Sequence, residues 1–259
     1  MTTGITTIRN ANGTIIGKAK ERALALGFPY IPREETLDDM SGHYGVYGFL
    51  IYGKQLPYYW IGGEEYRFHV GTAALRILQM EKGNEDRLCR LLPKEGPCKV
   101  LDCTFGQGSD STTMSWYLKD RGNVIALEKS PILYEIGRAG IAHYMDKNPS
   151  ITKAVRRISL LHADYSEFLS HEKEKSFDVI YLDPMFRHPV KRDVNDMEGF
   201  RRAAIYDTLS EDILRKAMRV ARRRIIVKER PFSPLFKNGL FDFVCGKKGQ
   251  TTAYGVIDL

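Results

Sequence analysis

From residue 98 onward, short apolar runs alternate with longer stretches in which apolar positions recur every three to four residues. Apolar runs without polar alternation are typical of strands buried on both faces, as in a parallel sheet between helices. The pattern predicts strands at residues 100–103, 123–128, 158–162, 179–183 and 224–228, with intervening helices such as 109–121, 131–146 and 210–221. A terminal antiparallel hairpin is predicted at 241–245 and 251–257. We therefore expect an α/β fold with a doubly wound, mostly parallel sheet.

Residues 1–95 follow another pattern and predict a small α+β cap, joined through residues 93–97 to a second domain at 96–259. Helical spacing of apolar residues runs from Ile15 to Leu26, and Gly27 is a plausible helix stop. Two aromatic-rich runs, at 44–52 and 58–61, surround a short turn and predict a hairpin. A helix is predicted over 72–92, and its inner side is expected to carry Leu75, Leu78, Leu88 and Leu92.

Composition narrows the class of protein. A hydrophobic content of 43% supports a packed core rather than a disordered chain. No apolar run approaches the roughly 20 residues that span a bilayer, and residues 1–17 lack the order of a signal peptide. The four cysteines show no C-x-x-C pair and no metal-ligand spacing with histidine. We expect a cytoplasmic protein with reduced thiols, no metal and no membrane partner; the composition predicts no oligomeric state.

The net charge of +7 is unevenly distributed along the chain. Residues 187–248 contain sixteen Lys and Arg against eight Asp and Glu, which leaves the rest of the chain at −1. A basic surface confined to one region is typical of proteins that bind a polyanion, although a single charged run is more often a solvated helix face. The position of this region, directly after residues 183–186, favours the binding interpretation.

A glycine turn follows the first strand of the second domain. Asp102 ends that strand, and Gly106 and Gly108 let the backbone approach a ligand closely. A dinucleotide fingerprint would have a third glycine where Ser111 stands, and Asp110 would repel a pyrophosphate. A cationic sulfonium and amino acid would tolerate that acid. The turn therefore favours S-adenosylmethionine (SAM) over a nicotinamide dinucleotide.

Two more acids stand at the ends of successive strands. Glu128 is placed to accept both hydroxyls of a ribose, and Asp164 to accept the amine of an adenine. Each alone is as easily a surface acid or a helix cap. Three acids at three successive strand ends predict an adenosine-type cofactor.

The tetrapeptide from Asp183 to Phe186 closes the fourth predicted strand. An exocyclic base amine is a poor nucleophile because its lone pair is delocalised into the ring. The Asp183 carboxylate and a backbone carbonyl held by Pro184 can accept its hydrogens, while Phe186 stacks on the base. Next come basic residues placed for phosphate contacts: His188, Lys191, Arg192, Arg201 and Arg202, with Lys228 also facing the acceptor.

These motifs resemble the class I SAM-dependent methyltransferases and, more narrowly, the bacterial 16S rRNA guanine-N2 methyltransferase J family. The resemblance rests on residues 102–110, 128–129, 162–164, 181–186 and 226–231, with D-P-M-F as its most specific element. It implies a Rossmann-like domain and a 16S rRNA or small-subunit substrate. It also implies cofactor contacts at the following residues: Ser109, Asp110, Glu128, Lys129, Asp164, Tyr165 and Asp183.

Other functions remain open at this point. The same chemistry could act on a DNA adenine or a protein side chain. A non-catalytic RNA-binding or ribosome-assembly module would keep the fold without the reaction, although the intact D-P-M-F segment argues against it. The sequence also leaves open whether the cap binds RNA or covers SAM.

Overall fold

The computed structural model describes residues 2–184, 209–246 and 250–259. Contacts divide the chain into two compact units. Of the described residues, the first unit contains 2–69 and Ser130–Tyr144, and the second contains the others. These units divide after His69 and do not coincide with domains meeting at residue 95, so that domain boundary stays a prediction.

The described residues form eight α-helices and eleven strands. The strands are β1 (Thr3–Thr7), β2 (Gly48–Tyr52), β3 (Tyr58–Ile61), β4 (Glu64–Arg67), β5 (Cys98–Asp102), β6 (Gly122–Glu128), β7 (Ile158–His162), β8 (Phe177–Leu182), β9 (Ala221–Glu229), β10 (Phe243–Cys245) and β11 (Ala253–Asp258). The helices are α1 (Gly13–Leu26), α2 (Leu37–Tyr44), α3 (Ala73–Glu81), α4 (Ser109–Leu118), α5 (Pro131–His143), α6 (Pro149–Arg156), α7 (Tyr165–His171) and α8 (Glu211–Val220). In the described ranges, no helix is long and apolar enough to cross a membrane.

The first unit is built on a four-stranded sheet in the order β1-β2-β3-β4. The predicted hairpin is confirmed, because β2 and β3 pair antiparallel with Leu50 opposite Tyr59. β1, which the pattern did not predict, adds to β2 in parallel. The predicted helix stop is also confirmed, since Gly27 ends α1 in the left-handed conformation at φ 69°.

A buried carboxylate ties three elements of the first unit together. Glu135 of α5 has a fully buried side chain. It accepts hydrogen bonds from Arg22 of α1 at 2.8 Å, from Tyr52 of β2 at 2.8 Å and from Arg138 at 2.7 Å. A buried charge is costly unless it is paired, so these donors are required for Glu135 to remain ionised.

The second unit is a seven-stranded sheet in the order β10-β11-β9-β8-β5-β6-β7. The five strands from β9 to β7 are parallel, and β11 and β10 pair antiparallel at one edge. This confirms the predicted α/β fold with a doubly wound, mostly parallel sheet and a terminal hairpin. Strand residues alternate between two buried faces. In β8, Val179 and Tyr181 pack with Met114 of α4, whereas Ile180 and Leu182 pack with residues of α7 and α8.

The helix predicted over 72–92 is wrong in length and in its buried side. α3 ends at Glu81 because the backbone turns at Gly83, where φ is 86°. Ala73 and Ile77 are its buried residues, and Leu75 and Leu78 are 67% and 41% exposed. Leu88 and Leu92 are buried beyond the break, around a 3₁₀ turn at Cys89–Leu91. The leucine spacing thus spans two elements, and a glycine separates them.

We expect Glu135→Gln to lower the free energy of unfolding by about 3 kcal/mol, because it leaves two arginines facing a neutral amide in a buried site. Denaturant titration followed by circular dichroism measures this loss. Glu85→Gln is a matched control: Glu85 is 72% exposed and lies 4.0 Å from Arg90, so its removal should cost less than about 1 kcal/mol. Equal losses for the two variants would contradict this role of Glu135.

Candidate functional site

The strand order of the second unit reverses between β5 and β8. β6 and β7 lie on one side of β5, and β8 and β9 lie on the other. In open α/β sheets, ligands bind beside such a reversal, outside the carboxyl ends of the strands. Asp102 ends β5 and Asp183 follows β8. These two predicted site acids, Asp102 and Asp183, therefore belong to this edge of the sheet.

Asp102 holds the glycine turn together from inside. Its carboxylate is 1% exposed. Oδ1 accepts the Thr104 backbone N–H at 2.9 Å, and Oδ2 accepts the Ser111 hydroxyl at 2.5 Å. Burial raises the pKa of Asp102 to about 7 although these donors oppose the shift. Asp102 thus joins the end of β5 to the start of α4, and a direct cofactor contact by this residue stays a prediction.

The turn needs glycine at two positions. Gly106 and Gly108 adopt φ values of 54° and 74°, which side chains other than glycine rarely adopt. A Cβ on Gly108 would lie 2.5 Å from the ring of Phe105. The Gly106 N–H donates to Oε2 of Glu128 at 2.9 Å, so the turn is anchored to the end of β6. The sequence predicts that Glu128 binds a ribose, and in the structure Glu128 also anchors the glycine turn.

Beyond β7, Asp164 caps α7. Its Oδ1 accepts the backbone N–H groups of Ser166 and Glu167 at 2.7 and 3.2 Å. Its Oδ2 lies 2.8 Å from Nζ of Lys129, and this ion pair lowers the pKa of Asp164 against the opposing effect of burial. Tyr165, the first residue of α7, is buried. The ion pair brings two of the predicted cofactor residues, Lys129 and Asp164, together.

At the start of α4, Ser109 and Asp110 face different neighbours. The Ser109 hydroxyl lies 3.1 Å from that of Thr72. Asp110 accepts hydrogen bonds from Arg76, from Tyr181 at 2.7 Å and from Lys228 at 2.9 Å. Burial would raise the pKa of Asp110, but the cations of Lys228 and Arg76 hold it well below its usual range. Asp110 is therefore a fully engaged carboxylate, and a cofactor contact there stays a prediction.

Asp183 has one oxygen paired with Lys228 and one that no donor of the described residues contacts. Oδ2 lies 2.6 Å from Nζ of Lys228, and the Asp183 backbone N–H donates to Oγ1 of Thr104 at 2.8 Å. Among residues 2–184, 209–246 and 250–259, no donor contacts Oδ1, and 26% of the side chain is exposed. Burial raises the pKa of Asp183 to about 6; Lys228 opposes this shift and Asp110 adds to it. This carboxylate can accept a hydrogen bond from a ligand.

Most of the remaining predicted acceptor residues lie outside the residues that the structure describes. Pro184 is buried. Phe186 lies outside the described residues, as do His188, Lys191, Arg192, Arg201 and Arg202. Their predicted contacts with a base and with phosphates therefore stay predictions.

A family model described as "Putative SAM-dependent methyltransferase" matches residues 66–246, well over half of the chain. The protein belongs to this family of SAM-dependent methyltransferases. Its cofactor is S-adenosylmethionine, as the strand-end acids and the glycine turn predicted.

Two kinds of relative differ in how much of this methyltransferase they match. The uncharacterized protein YpiP of Bacillus subtilis is 29% identical over 98% of both chains. Ribosomal RNA small subunit methyltransferase J of Marinobacter nauticus is 30% identical over 51% of this chain and 47% of its own. The enzyme of the same name from Desulfotalea psychrophila is 28% identical over 52% and 51%. The alignment thus spans about half of each methyltransferase J.

A solved structure shares the fold of this methyltransferase. The crystal structure of a SAM-dependent methyltransferase from Neisseria gonorrhoeae superposes with a TM-score of 0.63. The superposition covers 99% of this chain and 96% of that one at 19% identity. At this identity the likeness concerns the fold.

The carboxyl edge of the sheet in this methyltransferase fits SAM chemically. Gly106 and Gly108, both at positive φ, contribute no Cβ atoms to the turn. Glu128, which is 8% exposed, brings a carboxylate to the end of β6, and Asp164 brings another to the start of α7. Carboxylates suit a ligand that carries a sulfonium, an ammonium group and a ribose diol. Within the described ranges, no group of three or more His, Cys, Asp or Glu could hold a metal ion.

Sequence reasoning missed three residues of the site. Thr104 receives the backbone N–H of Asp183 and follows Asp102 by two residues, a spacing at which an aspartate commonly accepts a backbone N–H. Tyr181 precedes Asp183 by two, so strand alternation puts both on the face of α4. Arg76 carries no local signal, because only the fold brings α3 to Asp110.

We expect Gly108→Ala to destabilise the methyltransferase by about 2 kcal/mol, because φ 74° is unfavourable for alanine and its Cβ would meet Phe105. Affinity for SAM should fall with it. Denaturant titration and titration calorimetry measure the two effects. Gly17→Ala is the matched control: Gly17 lies inside α1 with nothing within 4 Å of an added Cβ, so alanine should stabilise the helix by up to about 1 kcal/mol. Unchanged stability of Gly108→Ala would contradict this account of the turn.

Proposed function

We propose that this methyltransferase acts on an exocyclic base amine, namely guanine N2 in small-subunit rRNA. The observation that carries the proposal is Asp183. Its carboxylate lies at the carboxyl end of β8 beside the strand reversal, with Lys228 on Oδ2 and Oδ1 open among the described residues. An acid in this arrangement can receive a hydrogen bond from an amine and afterwards its proton.

Asp183 and Pro184 would orient the amine. An exocyclic nitrogen has its lone pair delocalised into the π system of the ring, which makes it a poor nucleophile toward a methyl group. Hydrogen bonds to Oδ1 of Asp183 and to the Pro184 carbonyl would turn the lone pair out of conjugation. Orienting a nucleophile in this way supplies a large part of a transfer rate. The methylated nitrogen then loses a proton, and Asp183 would hold it.

Glu128, Lys129 and Asp164 would bind the nucleoside part of SAM, and the turn at Gly106 and Gly108 would lie against its amino-acid part. When bound, SAM supplies an electrophilic methyl group. Asp102 and Ser111 contribute indirectly, because their hydrogen bond holds the turn against α4.

An RNA acceptor is supported by the relatives and by charge. The methyltransferases J that match about half of this chain are named for small-subunit ribosomal RNA. Residues 187–248 contain sixteen Lys and Arg against eight Asp and Glu, and a basic region of this kind can contact the phosphates of a polyanion.

The direct test is transfer of tritiated methyl from SAM to small ribosomal subunits purified from a strain lacking the gene. DNA and free protein are the parallel acceptors. We expect label in 16S RNA, and we expect Asp183→Asn to lower kcat about 100-fold or more, because an amide cannot take up the proton. Its Kd for SAM should remain close to that of the wild type.

Asp212→Asn serves as the control, since Asp212 is 70% exposed and pairs with Lys216 on α8. It should transfer methyl at the wild-type rate. Label in DNA or protein instead of RNA would reject the proposed acceptor. Full activity of Asp183→Asn would reject the proposed role of the carboxylate.

A further inference from the structure

Lys228 lies between two carboxylates. Its Nζ is 2.9 Å from Oδ2 of Asp110 and 2.6 Å from Oδ2 of Asp183. Its side chain is 22% exposed, and that of Asp110 is 11% exposed. The three groups come from separate elements, namely β9, α4 and the end of β8. The ammonium therefore links the start of α4 to the predicted acceptor residue.

This contact continues into a row of alternating charges. Arg76 of α3 donates to Asp110 and also binds both oxygens of Asp86 at 2.8 Å. The row runs Asp86, Arg76, Asp110, Lys228, Asp183, with three acids and two cations. Since each cation is shared by two acids, neither cation's charge acts on Asp183 alone.

Strand register explains why Lys228 reaches Asp183. β8 and β9 are parallel, with Tyr181 opposite Ile226 and Leu182 opposite Val227. The next positions along the two strands are Asp183 and Lys228, and alternation places both on the face of α4. The contact is thus built into the sheet.

We propose that Asp110 and Lys228 form a charge-balancing pair that positions the Asp183 carboxylate and sets its affinity for a proton. The inference rests on the proposed function, in which Asp183 serves the acceptor amine. Asp110 and Lys228 are positioning residues, because they act on the acceptor through Asp183.

A lone lysine could not both hold Asp183 in place and leave it basic enough to accept a proton. A single ammonium at 2.6 Å would hold Asp183 firmly in place but would make it a very weak base. The acceptor nitrogen must lose one proton after methylation; its N–H bond breaks, an O–H bond forms at Oδ1 of Asp183, and the proton later passes to solvent. Asp110 offsets the charge of Lys228, so Asp183 keeps its position and remains basic enough to take this proton.

The electrostatics of the site agree with the geometry. Burial would lower the pKa of Lys228, but Asp183 and Asp110 together raise it well above its usual range. Lys228 therefore remains charged, and burial together with Asp110 raises the pKa of Asp183 to about 6. The other titratable groups that act on Asp183 or Lys228 come from β5, β8, β9 and β11: Asp102, Tyr181, Glu229 and Tyr254.

The test is the titration of the Asp183 side-chain carboxyl, followed by carbon-13 NMR in the full-length protein without SAM or RNA. Asp183→Asn assigns the signal. We expect Asp110→Asn to lower the pKa of Asp183 by about one pH unit or more, because Lys228 then acts on it unopposed. Lys228→Met should raise it by a similar amount. Asp178→Asn removes an equal charge five positions earlier, at the start of β8, and should leave the Asp183 titration unchanged.

The inference is tested by the opposite pKa shifts that we expect for Asp183 in the two variants. A merely structural pair would shift the titration in the same direction in both variants, or not at all, and either result overturns the inference. If Lys228→Met fails to fold, Asp110→Asn alone still decides: a lowered pKa supports the inference, and an unchanged or raised pKa overturns it. In the methyl-transfer assay, the acid limb of kcat should move with the pKa in each variant. Absence of methyl transfer by the wild type would reject the proposed function but not the inference about the charge-balancing pair. The two outcomes can be distinguished because the NMR titration needs neither SAM nor RNA.

Discussion

The ion pair between Asp183 and Lys228 is the constraint around which the site of the second unit is arranged. Parallel strands bring their carboxyl ends to one edge, and in this chain that edge collects Asp102, Asp110 and Asp183, whose charges act on one another. Buried like charges repel strongly and are retained only where cations and hydrogen bonds match them. Lys228 and Arg76 supply those cations, while Ser111, Thr104 and Tyr181 supply neutral donors.

The acids that point to the cofactor also have structural roles. Asp102 closes the turn onto α4, Glu128 receives the N–H of Gly106, and Asp164 caps α7 while pairing with Lys129. Binding and structural roles therefore do not exclude each other here. A carboxylate that accepts a backbone N–H with one oxygen is held in a defined orientation. Less side-chain conformational entropy is then lost when a ligand binds.

Much of the second unit could be predicted from local pattern, because apolar runs without alternation identify buried parallel strands directly. The helix over 72–92 was wrong since leucine spacing continued across the turn at Gly83. The position of Asp183 beside β5 depends on strand order, which the sequence does not state, and Arg76 reaches Asp110 only through tertiary packing. Residue identity thus predicted which side chains have the chemistry to bind the cofactor or the acceptor. Which of these side chains contact one another depends on the fold.

In the proposed function, Asp183 serves methyl transfer to a guanine amine of small-subunit rRNA. The most direct measurement is mass-spectrometric mapping of methylated nucleosides in 16S rRNA from a strain lacking the gene, complemented with the wild type or with Asp183→Ala. We expect one N2-methylguanosine to be absent in the deletion, restored by the wild type and not restored by the variant. An unchanged set of methylated nucleosides in the deletion, or restoration by Asp183→Ala, would contradict it.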